Sequence, residues 1–231
     1  MNEELQHVYN RMKVIENEYL QPQQFKQYSN YWLPKEIVEN SKNVLSFGVH
    51  RDTNFEQGIC VDNQNLKINC YDPTPDSVTL FERFNWPNKD KMTFYPIAYA
   101  KENGTMKFYY DRNNLSRCYS LLPLPQYGND PAYIEVDTKN LKTIMKEHMP
   151  SVDIIKADIE GVWYDFCREI LDNDISFKAL LIEFEIKLID NEKSLVQYKE
   201  ILEELKEKGF ELFLNKPRNA CLSEAIIINN K

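Results

Sequence analysis

At 231 residues, with 42% apolar and 28% charged side chains, the chain has the size and composition of one folded domain with room for an extension. A net charge of −8 excludes a nucleic-acid backbone as the main partner, which would need a clustered basic face. No stretch approaches the ~18 apolar residues of a membrane span, Met1-Asn2-Glu3-Glu4 lacks the pattern of a signal peptide, and five scattered cysteines (Cys60, Cys70, Cys118, Cys167, Cys221) without a CxxC pair suit reduced thiols in a cytoplasm.

Taken in order, Leu5, Val8, Met12, Ile15 and Tyr19 recur at helical spacing, which predicts an amphipathic helix over 2–20. Such a helix caps its own domain or pairs two copies in a homodimer. Residues 21–31 read as a polar, aromatic linker, and Pro34 opens a short helix. Residues 1–40 thus form an N-terminal helical extension to a domain over 41–231. Val44 to Phe47 is a short buried strand that stops at Gly48, and Leu66, Ile68, Cys70 and Tyr71 build a second that ends at Asp72-Pro73. Thr74-Pro75 starts a helix, with Val78, Phe81 and Phe84 facing inward and Trp86-Pro87 as its stop. Met92 to Ala98 is a third strand, made irregular by Pro96.

Asn103-Gly104 predicts a hairpin joining 99–101 to 106–110. Residues 111–132, rich in Pro and Tyr, read as an ordered lid, so that 99–133 is an insertion. Ile134 to Val136 is a brief strand before a helix carrying Leu141, Ile144 and Met145. Val152 to Ala157 is the fourth main strand and ends in Asp158-Ile159-Glu160-Gly161. A helix with Phe166, Cys167, Ile170 and Leu171 leads to a fifth strand, Ala179 to Phe184. Helix 192–208 closes on Gly209, and Glu211–Leu214 with Ala225–Ile228 forms an antiparallel final pair. Strands alternating with helical crossovers predict a doubly wound α/β sheet of about seven strands.

In such sheets a ligand sits at the carboxyl ends of the strands where strand order reverses. Gly48, Asp72, Ala98, Asp158 to Gly161 and Glu183 are the residues there. A strand ending in Gly, followed by one ending in an acid, is the layout of a nucleotide-binding βαβ unit, with the carboxylate placed for ribose hydroxyls. Asp72 equally suits a helix-start acid before Thr74. Asp158 and Glu160 alternate along the chain, so both face one crevice only if the strand has already turned. Glu183 ends an apolar strand, where burial raises a carboxyl pKa unless it is paired. Asp158, Glu160 and Glu183 together offer the oxygen ligands of a divalent cation, with the metal-free reading favoured. His50 is a second candidate base, imidazole being suited to proton transfer near neutral pH. Lys101, Lys107, Arg112 and Arg117, beside Tyr119 and Tyr127, could receive the phosphates of a nucleotide-linked sugar or form a solvated hairpin.

The chain resembles the FkbM-type class I S-adenosylmethionine-dependent methyltransferases. The likeness is carried by Ser46-Phe47-Gly48-Val49-His50-Arg51-Asp52-Thr53-Asn54-Phe55-Glu56, by Asp72-Pro73-Thr74-Pro75, and by Asp153 to Gly161 (DIIKADIEG), with Leu181-Ile182-Glu183 and Leu222 to Ile228 following in order. Three positions depart from the family pattern: His50 in place of a second Gly, Trp163 in place of an acid, and Glu185 in place of a His. The resemblance implies a Rossmann-like fold with an antiparallel last strand and S-adenosylmethionine as cofactor. It also implies O-methylation of a small-molecule or sugar acceptor, a glycan precursor first and a natural-product hydroxyl second. Strand-end position and the matched stretches together make Phe47, Gly48, Val49, His50, Phe55, Glu56, Asp72, Pro73, Thr74, Ala98 and Asp158 the candidates for the cofactor. The candidates for chemistry, from their place and residue type, are Asp158, Glu160, Glu183 and His50. A nicotinamide dehydrogenase is disfavoured by the lack of GxGxxG, and a non-catalytic scaffold by the retention of Asp72, Asp158 and Glu160.

Overall fold

The computed structural model describes residues 25–112, 118–185, 191–214 and 222–229. The helix expected over 2–20 lies outside them. Seven strands build the main sheet: β3 (Asn43–Phe47), β4 (Lys67–Tyr71), β5 (Met92–Tyr95), β10 (Ile154–Ala157), β11 (Ala179–Glu185), β12 (Glu211–Leu214) and β13 (Leu222–Ile228), in the order β12-β13-β11-β10-β3-β4-β5. The order reverses beside β3, whose neighbours β4 and β10 both run parallel to it. Only β13 runs against its neighbours, β11 and β12. The central strands are continuous apolar runs because both faces are covered.

Alternation along the strands sorts the core into two layers. Leu45, Phe47, Ile155, Ala157, Leu180 and Ile182 face one side, under α4 (Leu141–His148), α5 (Trp163–Asp172) and α6 (Asn191–Glu207). Val44, Ile68, Cys70, Ile154 and Leu181 face the other, under α1 (Lys35–Glu39), α2 (Asn54–Asp62) and α3 (Pro75–Arg83). Local signals start and stop the helices. The Thr74 side chain accepts from the Ser77 N–H with Pro75 at the first helical position, and the Asn140 side chain caps α4 in the same way. Gly209, at φ 86°, follows α6.

Several expectations are corrected. Residues 26–33 are no linker but a hairpin, β1 (Lys26–Tyr28) with β2 (Tyr31–Leu33), folded onto the second layer. Phe25 meets Phe213 edge-on at 4.9 Å, and Lys26 and Tyr28 both bond Asp62 of α2. Phe84 is 57% exposed, because α3 ends at Arg83 and the extended Phe84 leaves the helical periodicity. The third strand is cut at Pro96: β5 stays in the main sheet, while β6 (Ile97–Tyr99) belongs to a second sheet.

That second sheet, ordered β6-β9-β7-β8, adds β7 (Gly104–Tyr110), β8 (Tyr119–Ser120) and β9 (Ala132–Lys139). The Asn103-Gly104 turn does connect β6 to β7, yet the two strands do not pair. β9 inserts between them, parallel to β6 and antiparallel to β7. The expected strand 134–136 is therefore eight residues long and is the centre of this sheet.

Candidate active site

The main-sheet strand ends and the second sheet enclose a cleft of about 230 Å³. Its floor comes from three strand ends of the main sheet: Phe47, Gly48 and His50 after β3; Tyr71 to Thr74 after β4; and Asp158, Ile159, Glu160 and Val162 after β10. The roof comes from the second sheet, chiefly Ile97, Tyr99, Phe108, Tyr119 and Leu121.

Gly48 has to be glycine. Its φ is +75°, and a Cβ there would lie 1.9 Å from the Asp158 carbonyl oxygen. This close approach lets β3 and β10 meet at the strand-order reversal. Beneath the turn, the buried Lys156 donates to the Gly48 carbonyl at 2.9 Å and to that of Phe47 at 3.3 Å. Asp72 clamps the turn from the side: its Oδ2 accepts from the His50 N–H at 2.7 Å and its Oδ1 from the Thr74 N–H at 2.8 Å.

His50 is held at φ +45°, a left-handed conformation that costs a non-glycine residue about 1 kcal/mol. This is the physical reason a glycine suits the position. Its carbonyl accepts from Ser77 Oγ at 2.6 Å. Its Nε2 is sealed from solvent and has no hydrogen-bond partner among the described residues.

Asp158 and Glu160 both line the cleft. β10 ends at Ala157, and the chain turns through 158–162 with Gly161 at φ 84°, so the alternation of a strand no longer separates them. Beside Glu160 lies Glu185, 3% exposed, which accepts the Gly161 N–H. Burial, then Glu160 and Asp158, hold the Glu185 carboxyl well above its usual range. The Tyr127 hydroxyl, buried without a hydrogen-bond partner among the described residues, feels Glu160 and Glu185 as well.

Glu183 does not line the cleft. Its carboxylate, with those of Asp158 and Glu185, forms a set whose oxygens lie within 4.8 Å of one another. The three acids that converge are thus Asp158, Glu183 and Glu185, not Asp158, Glu160 and Glu183. Oxygen ligands in that number suit a divalent cation, and one of them, Glu185, also takes the Gly161 N–H.

Phe47, Gly48, His50, Asp72, Pro73, Thr74, Ala98 and Asp158 line one cleft. Val49, Phe55 and Glu56 do not. Val49 and Phe55 lie in the second-layer core, and Glu56, 1% exposed, takes a hydrogen bond from Ser46 Oγ. Burial raises the Glu56 pKa against the opposing pull of Lys156, so this acid supports the turn from below. Lys107 lies over the Tyr133 ring and Arg112 pairs with Asp130 at 3.7 Å, outside the cleft, as is Lys101; Arg117 is outside the described residues. Of the two tyrosines expected beside them, Tyr119 lines the cleft and Tyr127 is buried behind it.

One contributor escaped the sequence reading. Tyr31, on the N-terminal hairpin, covers Lys156 with its ring at 5.3 Å and donates its hydroxyl to Asp158 Oδ2 at 3.3 Å. Burial and the Asp158 charge push its phenol well above the ordinary range, so it stays a donor. Its only sequence signal is an aromatic residue in a polar stretch.

The Methyltransferase FkbM domain profile matches residues 33–212. No curated protein matches the chain in sequence. Among solved structures it is similar to a Staphylococcus aureus protein described as a caffeoyl-CoA O-methyltransferase (10% identity, 98% of this chain and 93% of that one, TM-score 0.46). It is also similar to a precorrin-6y C5,15-methyltransferase from Geobacter metallireducens (8%, 93% and 96%, 0.43). A third is the N-terminal domain of EvdMO1, solved with SAH and D-fucose (9%, 99% and 97%, 0.40).

Proposed function

The chain belongs to the FkbM methyltransferase domain family, and on that premise we propose that it methylates a hydroxyl of an uncharged sugar or sugar-like acceptor, with S-adenosylmethionine as donor. The observation that supports this reading is the meeting of Asp158 and Glu160 with the Gly48–His50 turn and Asp72 in one cleft. The residues present fit the cofactor. Asp72 spends one lone pair of each oxygen on backbone N–H groups and keeps two for hydroxyls, and Gly48 leaves room for close approach of a ligand to the backbone turn.

S-adenosylmethionine held there would supply a sulfonium methyl to the acceptor oxygen, its sulfur leaving as the thioether of the demethylated product. The chain's own work is to hold the hydroxyl and receive its proton. Orientation supplies several kcal/mol, and a positioned base about 10²–10⁴-fold in rate. Asp158 is the candidate base, because it lines the cleft and accepts only the long bond from Tyr31 among described partners. The aromatic roof shields the site from water and offers flat faces to a sugar ring.

The charge of the cleft argues for a neutral acceptor. Asp72, Asp158 and Glu160 line it, and among the described lining residues there is no Lys or Arg, so a phosphate would meet like charge. The test is calorimetric titration with S-adenosylmethionine and its demethylated product, with Asp72→Ala as control, followed by mass-spectrometric assay of neutral glycosides against nucleotide sugars. Micromolar binding that the control loses, and methylation of the neutral glycosides, is the expected result. Failure to bind the cofactor overturns the reading, and a preference for nucleotide sugars overturns the neutral acceptor.

A further inference from the structure

We propose that Tyr31 is a positioning residue of the active site: its hydroxyl holds the Asp158 carboxylate toward the cleft, so that the hairpin of β1 and β2 braces the base from outside the sheet that carries it. This rests on the reading of Asp158 as the base. It adds a residue that lies ahead of the span matched by the family profile, residues 33–212.

Three observations carry the proposal. First, Asp158 needs a brace. β10 ends at Ala157, so the Asp158 side chain stands on a turn, and a carboxylate oxygen from each of Glu183 and Glu185 lies within 4.8 Å of one of its own. Acids so crowded repel when ionised, and the Tyr31 hydroxyl, 3.3 Å from Oδ2, is the donor Asp158 has among the described residues. Second, that hydroxyl is delivered by an anchored arm. Lys26 and Tyr28 both bond Asp62 of α2, at 2.7 and 2.6 Å, and Tyr28 and Leu33 are buried. Tyr31 pairs with Tyr28 across the hairpin, and its ring meets Phe55 edge-on at 5.3 Å. A polar atom carried on a packed ring is placed with precision. Third, the same ring lies 5.3 Å from Lys156 Nζ, which donates to the Gly48 carbonyl at 2.9 Å. One tyrosine thus touches the cation beneath the Gly48 turn and the acid that follows β10, at the two strand ends that meet where the strand order reverses.

Tyr31 does not line the cleft, so it acts through Asp158 and not on the acceptor. A bond of 3.3 Å is a loose one: it orients the carboxylate and leaves its remaining lone pairs to an acceptor hydroxyl. The phenol stays a donor, because burial and then the Asp158 charge push it well above its ordinary range.

The test is a double-mutant cycle of Tyr31→Phe with Asp158→Ala. It is read by thermal melting, calorimetric titration with S-adenosylhomocysteine, methylation of the neutral glycosides, and crystal structures of wild type and Tyr31→Phe. Phenylalanine keeps the ring over Lys156 and against Phe55, so this variant is expected to melt with the wild type and to bind S-adenosylhomocysteine within about twofold of it. Its kcat should fall about tenfold at unchanged acceptor KM, and its Asp158 carboxylate should turn away from the cleft. In the Asp158→Ala background the same substitution should change the rate by less than about twofold, whereas a loss through general loosening would persist there. A loss that persists in that background, an unchanged rate in the single variant, or an unmoved carboxylate overturns the role of Tyr31 and leaves the methyltransferase reading standing. If the wild type methylates none of the glycosides, a turned carboxylate in the Tyr31→Phe crystals still supports the brace and an unmoved one still overturns it. A folded wild type that does not bind S-adenosylhomocysteine overturns both readings.

Discussion

Replacing Glu185 with glutamine tests whether the acid behind Glu160 carries a proton in the folded protein. The amide is close in shape to the protonated carboxyl and can still take the Gly161 N–H on its oxygen. The folded pKa of Glu185 is raised above its ordinary 4.5 by burial first, then by Glu160 and Asp158. Between pH 4.5 and that raised pKa the folded state therefore holds a proton that the unfolded chain has released. The stability this contributes is full below about pH 4.5 and is lost as pH rises through the folded pKa, at about 1.4 kcal/mol per pH unit for one proton. Glu56 is raised by burial and adds a slope of the same sign, whereas His148 is lowered by burial and adds the opposite sign just below its ordinary 6.5. Those contributions are common to both proteins and cancel in the difference. Urea unfolding at half-unit steps from pH 4.5 to 8 should show the variant gaining on wild type by about 1.4 kcal/mol per unit until Glu185 ionises, then levelling off. A difference that stays flat across that range would mean Glu185 is ionised when folded, and the raised pKa would have to be abandoned.

Two further substitutions probe the floor of the cleft. Gly48→Ala forces a Cβ to within 1.9 Å of a backbone oxygen at a left-handed φ, and should cost about 3 kcal/mol or more in urea unfolding; a loss below about 1 kcal/mol would show that β3 and β10 can separate. Asp158→Asn should lower the methylation rate about 10²–10⁴-fold while calorimetric affinity for S-adenosylmethionine stays within a few-fold; equal losses in rate and affinity would make Asp158 a cofactor ligand rather than a base.

Much of the sheet is legible in the sequence because its strands are short apolar runs that stop at Gly48, Asp72 and Asp158, and because α3 and α6 carry their own caps. The insertion was harder. Asn103-Gly104 is a strong local turn signal, but pairing belongs to the strand that completes the register, and β9 does so from about thirty residues away. Tyr31 was hidden for the same reason: it lies 127 positions from Asp158, and no periodicity connects a hairpin tip to a strand end. Glu185 stood out as an acid replacing a histidine, but its meaning depends on the turn at Gly161, which brings Glu160 back against it.

The break at Pro96 divides the labour of the cleft between two pieces of chain. Floor residues belong to a sheet whose geometry is dictated by parallel pairing and two buried layers, so they tolerate little change. Roof residues hang on β6 to β9, which leave the main sheet at a residue with no N–H and return only after β9. The two pieces are not independent, because Tyr99 at the start of the roof packs edge-on against Phe47 of the floor and donates its hydroxyl to Glu169 of α5. A change in how the chain leaves the main sheet at Pro96 would therefore be felt at the floor through one buried tyrosine.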